Sequence, residues 1–596
     1  MQIDQWQTVV EMFFEQTKTY GDKPFLWAKR GSGDDRAFKP ITWNEAAHQV
    51  THLAGGLIRQ GVNPGDRIVL VAENSPEWCI ADLAIMTAGA ISVPAYTTNT
   101  VADHQHILEN SGAVGAILST KALAKNFLPA AHQSDQLSFV IAVEDPEITQ
   151  KLNLKLIQWA DALDGGAEQS VKVKARRLDL QRSDTACLIY TSGTGGAPKG
   201  VMLNHGSILH NCAGAYDVLI ELGIKNERFL SFLPLSHAYE HSAGLFFPIS
   251  TGSEIYFAEG LEKLGSNLVE TKPTIMMVVP RLFEMLRMKI TRATMSKGGL
   301  KAKLFDKTLK LGIKKLEGRL NFFEAILNGL LTLLVRKKVQ QKFGGHMKAL
   351  VSGGAPLNKD VGQFFQALGL RLLQGYGQTE SAPLISVVRP SLIKMDTVGP
   401  PVINTEVKIA DDGEILVKGE LVMQGYWRDE EATKKTIIDG WLHTGDIGNF
   451  DDDGHIVITD RKKDIIVNDK GDNVSPQRIE GILSLEPEIG QAMVYGDKRP
   501  HLVGLIVPDD EWLRDWAKEN GKPNELSALF DDADLHKEMD RAVTKINQSL
   551  SNVEKVRRFA IAKEPFSIDN AQMTPTLKVR RHVISAAYKH EIDSMY

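Results

Sequence analysis

Hydroxyls, glycines and one lysine crowd the run Tyr190-Thr-Ser-Gly-Thr-Gly-Gly-Ala-Pro-Lys-Gly200. Glycines let a backbone approach an anion closely, successive N–H groups form an anion-binding concavity, and Lys199 adds charge. Thr191, Ser192, Gly193, Thr194 and Lys199 are therefore candidates for gripping a polyphosphate. The run is not the common nucleotide loop, which needs a Ser or Thr directly after its lysine to hold Mg²⁺. Here Pro198 precedes the lysine and Gly200 follows it, so a metal-binding hydroxyl has to come from earlier in the loop.

A second cluster, Gln374-Gly375-Tyr376-Gly-Gln-Thr379-Glu380, delivers an aromatic ring, a hydroxyl and a carboxylate together. It suggests Tyr376 stacking on a base, Thr379 touching phosphate and Glu380 holding Mg²⁺, a cation that takes oxygen ligands and keeps several waters. A third, Ser352-Gly-Gly-Ala-Pro356, closes an apolar run; a flat base could lie against Gly353 and Gly354, where no Cβ obstructs it. Trp441-Leu-His-Thr-Gly-Asp446 offers a carboxylate on a tight turn. Taken alone, Asp460-Arg-Lys-Lys-Asp464 reads as a solvated linker, and a lysine at 578 between Leu577 and Val579 says little.

These residues need strand ends to hold them. Ala186–Tyr190 is short and apolar, a buried strand leading into the glycine loop. Residues 23–185 alternate short apolar runs (67–72, 89–93, 114–118, 139–143) with helical patterns (43–60, 76–88), which predicts an α/β layer with a largely parallel sheet. From about 396 to 460 the pattern changes to short alternating strands with turns at Asp411-Asp-Gly413 and Asp451-Asp-Asp-Gly454, which predicts a small β-barrel layer. Beyond it, Gly471-Asp-Asn-Val-Ser-Pro476 leads into a helix near Gln477, and strands are expected over 491–496 and 502–507.

A chain of 596 residues is too long for one core. Its net charge of -5 provides no global basic field, so no nucleic acid partner is expected. Cys79, Cys187 and Cys212 are few and far apart; they fit a reducing, cytoplasmic setting and offer neither a disulfide framework nor a metal cluster. No secretory leader is expected at the N-terminus; Trp6, Val9, Val10, Phe13 and Phe14 instead suggest a docked amphipathic helix. The longest apolar stretch, Phe322–Val335, is too short for a membrane span and contains Glu324 and Asn328. It lies inside a basic segment, 287–348, which could be a solvated face packed by its apolar side or a peripheral contact with an anionic membrane.

The glycine loop resembles the signature of the adenylate-forming superfamily, whose usual form is Y-T-S-G-T-T-G-x-P-K-G; this chain departs from it at Gly195. The other motifs follow in the order of that family, over roughly residues 20–590. The resemblance implies a large N-terminal domain (1–460) of two α/β layers plus the small barrel, and a smaller, mobile α+β C-terminal domain (461–596). It implies that ATP and coenzyme A are co-substrates and that Mg²⁺ lies between Thr191 and Glu380. It places Gly353, Gly354 and Ala355 at the adenine and Asp446 and Arg461 at the ribose. Lys463 comes near the nucleotide, and Asp460 is the hinge. In Arg228-Phe-Leu-Ser-Phe-Leu-Pro-Leu-Ser-His-Ala-Tyr-Glu-His241, it makes His237 position the acyl carboxylate and has Ala238 and His241 line the acyl site. In Pro575-Thr-Leu-Lys-Val-Arg-Arg581 it makes Lys578 the lysine that reaches the carboxylate and α-phosphate. Many relatives carry a lysine where Val467 stands, so no phosphate contact is expected there.

The wording of the 228–241 element, the basic insertion and the 575–581 ending look most like long-chain fatty acid–CoA ligases. A medium-chain or aryl acid ligase, a ligase loading a carrier protein and a non-catalytic lipid-binding scaffold are the alternatives. The joint presence of Thr191, Lys199, Glu380, Asp446 and Lys578 argues against the last. Oligomeric state is left open.

Overall fold

The computed structural model describes residues 5–147, 153–191, 197–295, 298–470, 472–574 and 579–596. Two eight-stranded sheets dominate the first 390 residues. One runs, in spatial order, Leu384–Val387, Leu372–Gly377, Ala349–Ser352, Ile275–Val278, Arg228–Ser231, Glu254–Phe257, Pro24–Arg30 and Ala37–Thr42. Its six inner strands are mutually parallel and its two edge strands antiparallel. The other runs Gly425–Tyr426, Lys199–Asn204, Thr185–Thr191, Ile91–Ala95, Arg67–Val71, Gly115–Leu118, Phe139–Ala142 and Lys155–Gln158. From Thr185–Thr191 onward its pairings are parallel. The expected strand and helix runs over 43–143 are all present, with ends shifted by one or two residues.

Helices fill the space between the sheets. Pro76–Thr87 is apolar nearly all round and eleven of its residues are buried, as a helix with packing partners on every side must be. Trp43–Arg59 starts from a capping box in which Thr42 and Glu45 satisfy each other's backbone N–H groups. One core cluster unites Leu26, Phe229 and Ile275 of the first sheet with Ile68, Leu70 and Ile189 of the second through Trp43, Trp78, Leu83 and Leu209. The N-terminal helix Val9–Tyr20 docks Val9, Val10, Met12 and Phe13 into the same core.

The small β layer is a five-stranded antiparallel sheet of Glu406–Ile409, Glu414–Lys418, Ile437–Ile438, Trp441–Phe450 and Ile456–Arg461, in which the long strand Trp441–Phe450 pairs with three others. After it come separate cores built only from residues 466–595, around the sheet Ile489–Tyr495, Leu502–Pro508 and Val556–Ile561. No helix among the described residues is long and apolar enough to cross a membrane.

Candidate active site

Ligands of open α/β sheets sit outside the carboxyl ends of the strands. Here the strands Arg228–Ser231, Ile275–Val278, Ala349–Ser352 and Leu372–Gly377 all open at that end into one cavity of about 2220 Å³. The small β layer and residues from 475–497, 573–574 and 579–585 wall its other side. One part of the lining is polar, with Thr191, Lys199, Glu380 and Asp446; another is apolar, with Ala215, Leu219, Phe232, Ala243, Phe247 and Met277.

Thr191 and Lys199 are register partners in an antiparallel hairpin, so the glycine loop joins two strands and a helix begins only at His205. Ser192, Gly193, Thr194 and Gly195 lie outside the described residues. Lys199 Nζ is 3.3 Å from Asp429 Oδ2 and 5.1 Å from the centre of the Tyr426 ring. The Tyr426 hydroxyl donates to Glu380 Oε1 at 2.8 Å. Burial, reinforced by Glu380, pushes that phenol well above its ordinary range, so it stays a donor.

Tyr376 lies at the end of its strand, where Gly377 leaves room for the close approach of the Pro383 carbonyl; a Cβ there would fall 1.7 Å from that oxygen. The Tyr376 hydroxyl donates to Asp446 Oδ2 at 2.8 Å, and Arg461 Nε donates to Asp446 Oδ1 at 3.0 Å. Asp446 and Arg461 are direct cross-strand partners, which fixes the pair by register. Burial works against the Arg461 charge, and the Asp446 carboxylate overrides it and holds the guanidinium above its ordinary value. Gln374 is buried in the wall, and its side-chain oxygen has no hydrogen-bond partner among the described residues. A buried amide left open towards a cavity fits a ligand carrying a donor, such as the amino group of a base.

Gly353, Gly354 and Ala355 line the cavity beside the Tyr239 ring, with Gly354 at φ +82°, and Gly375 and Thr379 line it too. Asp460, Arg461 and Lys463 also lie in the wall. Lys578 lies outside the described residues, but Thr574 and Val579 on either side of its segment both line the cavity. Thr191, Glu380 and the oxygens of a polyphosphate form an oxygen-only donor set that suits Mg²⁺.

His237 lines the cavity and caps a short helix, its Nδ1 accepting the Tyr239 N–H at 3.2 Å. Ala238 and His241 do not line the cavity. Tyr239 of the turn Ala238–Glu240 lines the cavity; the chain then enters a π-helix, His241–Phe246, in which Ser242 and Ala243 line the cavity and His241 turns inward. There His241 Nε2 meets Asp82 Oδ2 at 2.8 Å, and Asp82 Oδ1 accepts from Ser92 Oγ at 2.6 Å.

A profile of AMP-binding enzymes matches residues 13–427, and a profile of the AMP-binding enzyme C-terminal domain matches 463–596. The chain belongs to the AMP-binding enzyme family. Within that family it is 35% identical over 573 residues to a protein of Mycobacterium bovis named long-chain-fatty-acid–CoA ligase, covering 94% of this chain and 93% of the relative. It is 30% identical to long chain acyl-CoA synthetase 7, peroxisomal, of Arabidopsis thaliana, over 99% of this chain and 86% of the relative. The adenylation domain of a carboxylic acid reductase from Segniliparus rugosus, solved with AMP and a carboxylic acid, shares the fold: TM-score 0.78, 20% identity, 99% of this chain and 94% of that one.

Three side chains at the site carry no sequence signature. Tyr426 reaches Glu380 across 46 residues and Asp429 reaches Lys199 across a longer gap still, while Tyr239 covers Gly353. Only their place beside already suspect residues, once folded, marks them.

Proposed function

We propose that this enzyme is an AMP-forming long-chain fatty acid–CoA ligase. It converts a fatty acid and ATP to an acyl-adenylate and pyrophosphate, then passes the acyl group to coenzyme A with loss of AMP. The observation that carries the reading is one cavity whose lining combines phosphate-type polar groups with a set of apolar side chains, in a family whose matched relatives bear that name.

In the first step the carboxylate oxygen attacks the α-phosphorus and pyrophosphate leaves. Such transfers depend on positioning and on stabilising charge. The backbone and hydroxyls of the 191–199 loop, with Lys199, hold the leaving phosphates. Thr191 and Glu380 would hold Mg²⁺, which neutralises phosphate charge when bound. Tyr376 stacks on the base, with Gly353, Gly354, Ala355, Gln374 and Gly375 shaping its slot, and Thr379 touches phosphate. Asp446 and Arg461 take the ribose, and Lys463 lies beside the nucleotide. His237 orients the acyl carboxylate, and Lys578 meets the charge building between carboxylate and α-phosphate. In the second step the thiol sulfur attacks the acyl carbon and the phosphate oxygen of AMP departs.

Separate hydrophobic cores before and after residue 460 support a division into 1–460 and a mobile 461–596. The enzyme acts in the cytoplasm, with peripheral membrane contact through the basic 287–348 segment. The test is pyrophosphate release from ATP, Mg²⁺ and palmitate, with and without coenzyme A. Release stimulated by coenzyme A, with palmitoyl-CoA formed, is expected. Release without any thioester would overturn the choice of acceptor, and release only with shorter or aromatic acids would overturn the substrate class.

A further inference from the structure

The helix Phe322–Leu331 and the π-turn Thr332–Arg336 that continues it have two very different sides. The inner side is pinned. Leu331 is buried, and the buried Arg336 donates to the Ala367 carbonyl at 2.6 Å, the Asn328 side-chain oxygen at 2.7 Å and the Thr308 carbonyl at 3.2 Å. A helix with one face packed on a domain normally turns polar residues to water. Here the outer face presents Phe322 and Phe323, 74% and 81% exposed, with Ile326, Leu330, Leu333 and Leu334 each more than half exposed. Exposed apolar residues are ordinary when scattered; gathered on one element they mark an interaction surface.

The surroundings are cationic. Residues 299–342 hold eleven Lys or Arg and three acidic residues, a net of +8 in a chain whose total is -5. All three acidic side chains are paired inside the segment: Asp306 with Lys310 at 2.8 Å, Glu317 with Arg319 at 3.3 Å, Glu324 with Lys314 at 2.6 Å. The helix and π-turn together are only about 22 Å long at ~1.5 Å per residue, too short to span a bilayer core and suited to lying in its plane.

We propose that this face docks the protein on an anionic lipid bilayer, its apolar side chains entering the acyl boundary and its lysines meeting the headgroups. This deepens the peripheral contact stated above by naming the face. Charge decides the occupant. A second copy would bring the same basic segment against itself across a two-fold interface, like charge on like. A bilayer offers an apolar layer beneath an anionic one, the complement of this face. The helix Pro280–Met295 starts in the cavity wall at Pro280, Arg281 and Glu284, and the chain runs on from it into this segment. The docking rests on the peripheral contact proposed above and does not depend on the proposed substrate.

The test is co-sedimentation of the full chain with phosphatidylcholine vesicles, with and without phosphatidylglycerol, for the wild type, Phe322→Ser/Phe323→Ser and Lys337→Gln/Lys338→Gln. The wild type is expected to sediment with the anionic vesicles. The serine variant should bind at least about ten-fold more weakly. The glutamine variant should lose roughly five-fold per lysine. Both should keep wild-type pyrophosphate release with octanoate in the absence of vesicles, which shows that they fold. Wild-type protein that ignores anionic vesicles, or a serine variant that binds as the wild type does, would overturn the proposal. So would a wild-type dimer that the serine variant dissolves without any vesicle binding. Vesicle binding lost in the variants, alongside no pyrophosphate release from the wild type with any acid, would leave the docking standing and sink the ligase reading instead.

Discussion

Glu240 sits beneath the elbow that carries His237 and Tyr239, and it is 1% exposed. Ser231 Oγ donates to its Oε1 at 2.7 Å, while Oε2 has no hydrogen-bond partner among the described residues. Burial pushes this carboxyl up from 4.5 to about 8, against the opposing hydrogen bonds from Ser231 and the Phe232 backbone. Between those two values the folded protein holds a proton that the unfolded chain has lost. The stability it contributes is therefore fully present below the unfolded value and drains away as pH rises through the folded one. Integrating the two titrations between pH 7 and pH 9 gives a loss of about 1.4 kcal/mol. For a domain of this size that is a Tm change of about 1–2 °C.

Glu240→Gln keeps an oxygen for Ser231 to donate to and removes the titration. Calorimetry of variant and wild type across this pH range isolates the Glu240 contribution, because every other titrating group cancels in the difference. The variant's Tm relative to wild type is expected to rise by about 1–2 °C from pH 7 to pH 9. Parallel pH profiles would refute the reasoning: Glu240 would then be ionised across the whole range or open to water.

Three further substitutions address the nucleotide end. Asp446→Asn removes the charge proposed to accept the ribose hydroxyls; two charge-assisted hydrogen bonds at about 1.5 kcal/mol each predict AMP affinity, by titration calorimetry, weaker by about 10²-fold, and unchanged affinity would take Asp446 out of that role. Tyr426→Phe removes the hydroxyl that orients Glu380, so the Mg²⁺ concentration for half-maximal activity should rise about 10-fold while the KM for fatty acid holds; a shift in the fatty acid KM alone would contradict it. Lys578→Ala should slow adenylate formation by ~10²–10³ yet spare thioester formation from supplied acyl-adenylate, and equal loss in both half-reactions would remove the assignment.

The parts of the site legible in the sequence are those where a strand ends in residues with unusual freedom or charge. Gly353-Gly354, Tyr376 to Glu380 and Asp446 announce themselves because glycine, aromatic and carboxylate together on a strand end have few bland explanations. What stayed hidden depends on contacts between distant segments or on local winding. The pairing of His241 with Asp82 spans 159 residues, and the π-helix that turns His241 inward differs from an α-helix by one residue in the hydrogen-bonding register. No periodicity reports such a shift, so a histidine next to the cavity motif was expected in the cavity wall and is found in the core. The apolar run Phe322–Val335 was legible as amphipathic, but which face is buried depends on Arg336 and its three carbonyl or amide partners, all outside the reach of pattern.

The ties around residue 460 bear on how the two parts of the molecule can move. Asp460 and Arg461 belong to the strand Ile456–Arg461 and pair with Ile447 and Asp446 of the neighbouring strand. Lys462 continues the attachment: its N–H donates to the Gly445 carbonyl at 2.8 Å and its Nζ lies 2.6 Å from Asp412 and 3.1 Å from Glu414, all in the same sheet region. A rotation about Asp460 itself would have to strip a ladder partner, a half-buried ion pair and a lysine bridge from that sheet at once. A rotation that begins after Lys462 strips none of them. It would also leave Arg461 and Asp446 together at the proposed ribose site. The match to the C-terminal profile begins at residue 463, the same point. In this conformation residues 460–462 are tied to the small β layer, and residue 463, where the C-terminal profile begins, is the first beyond those ties.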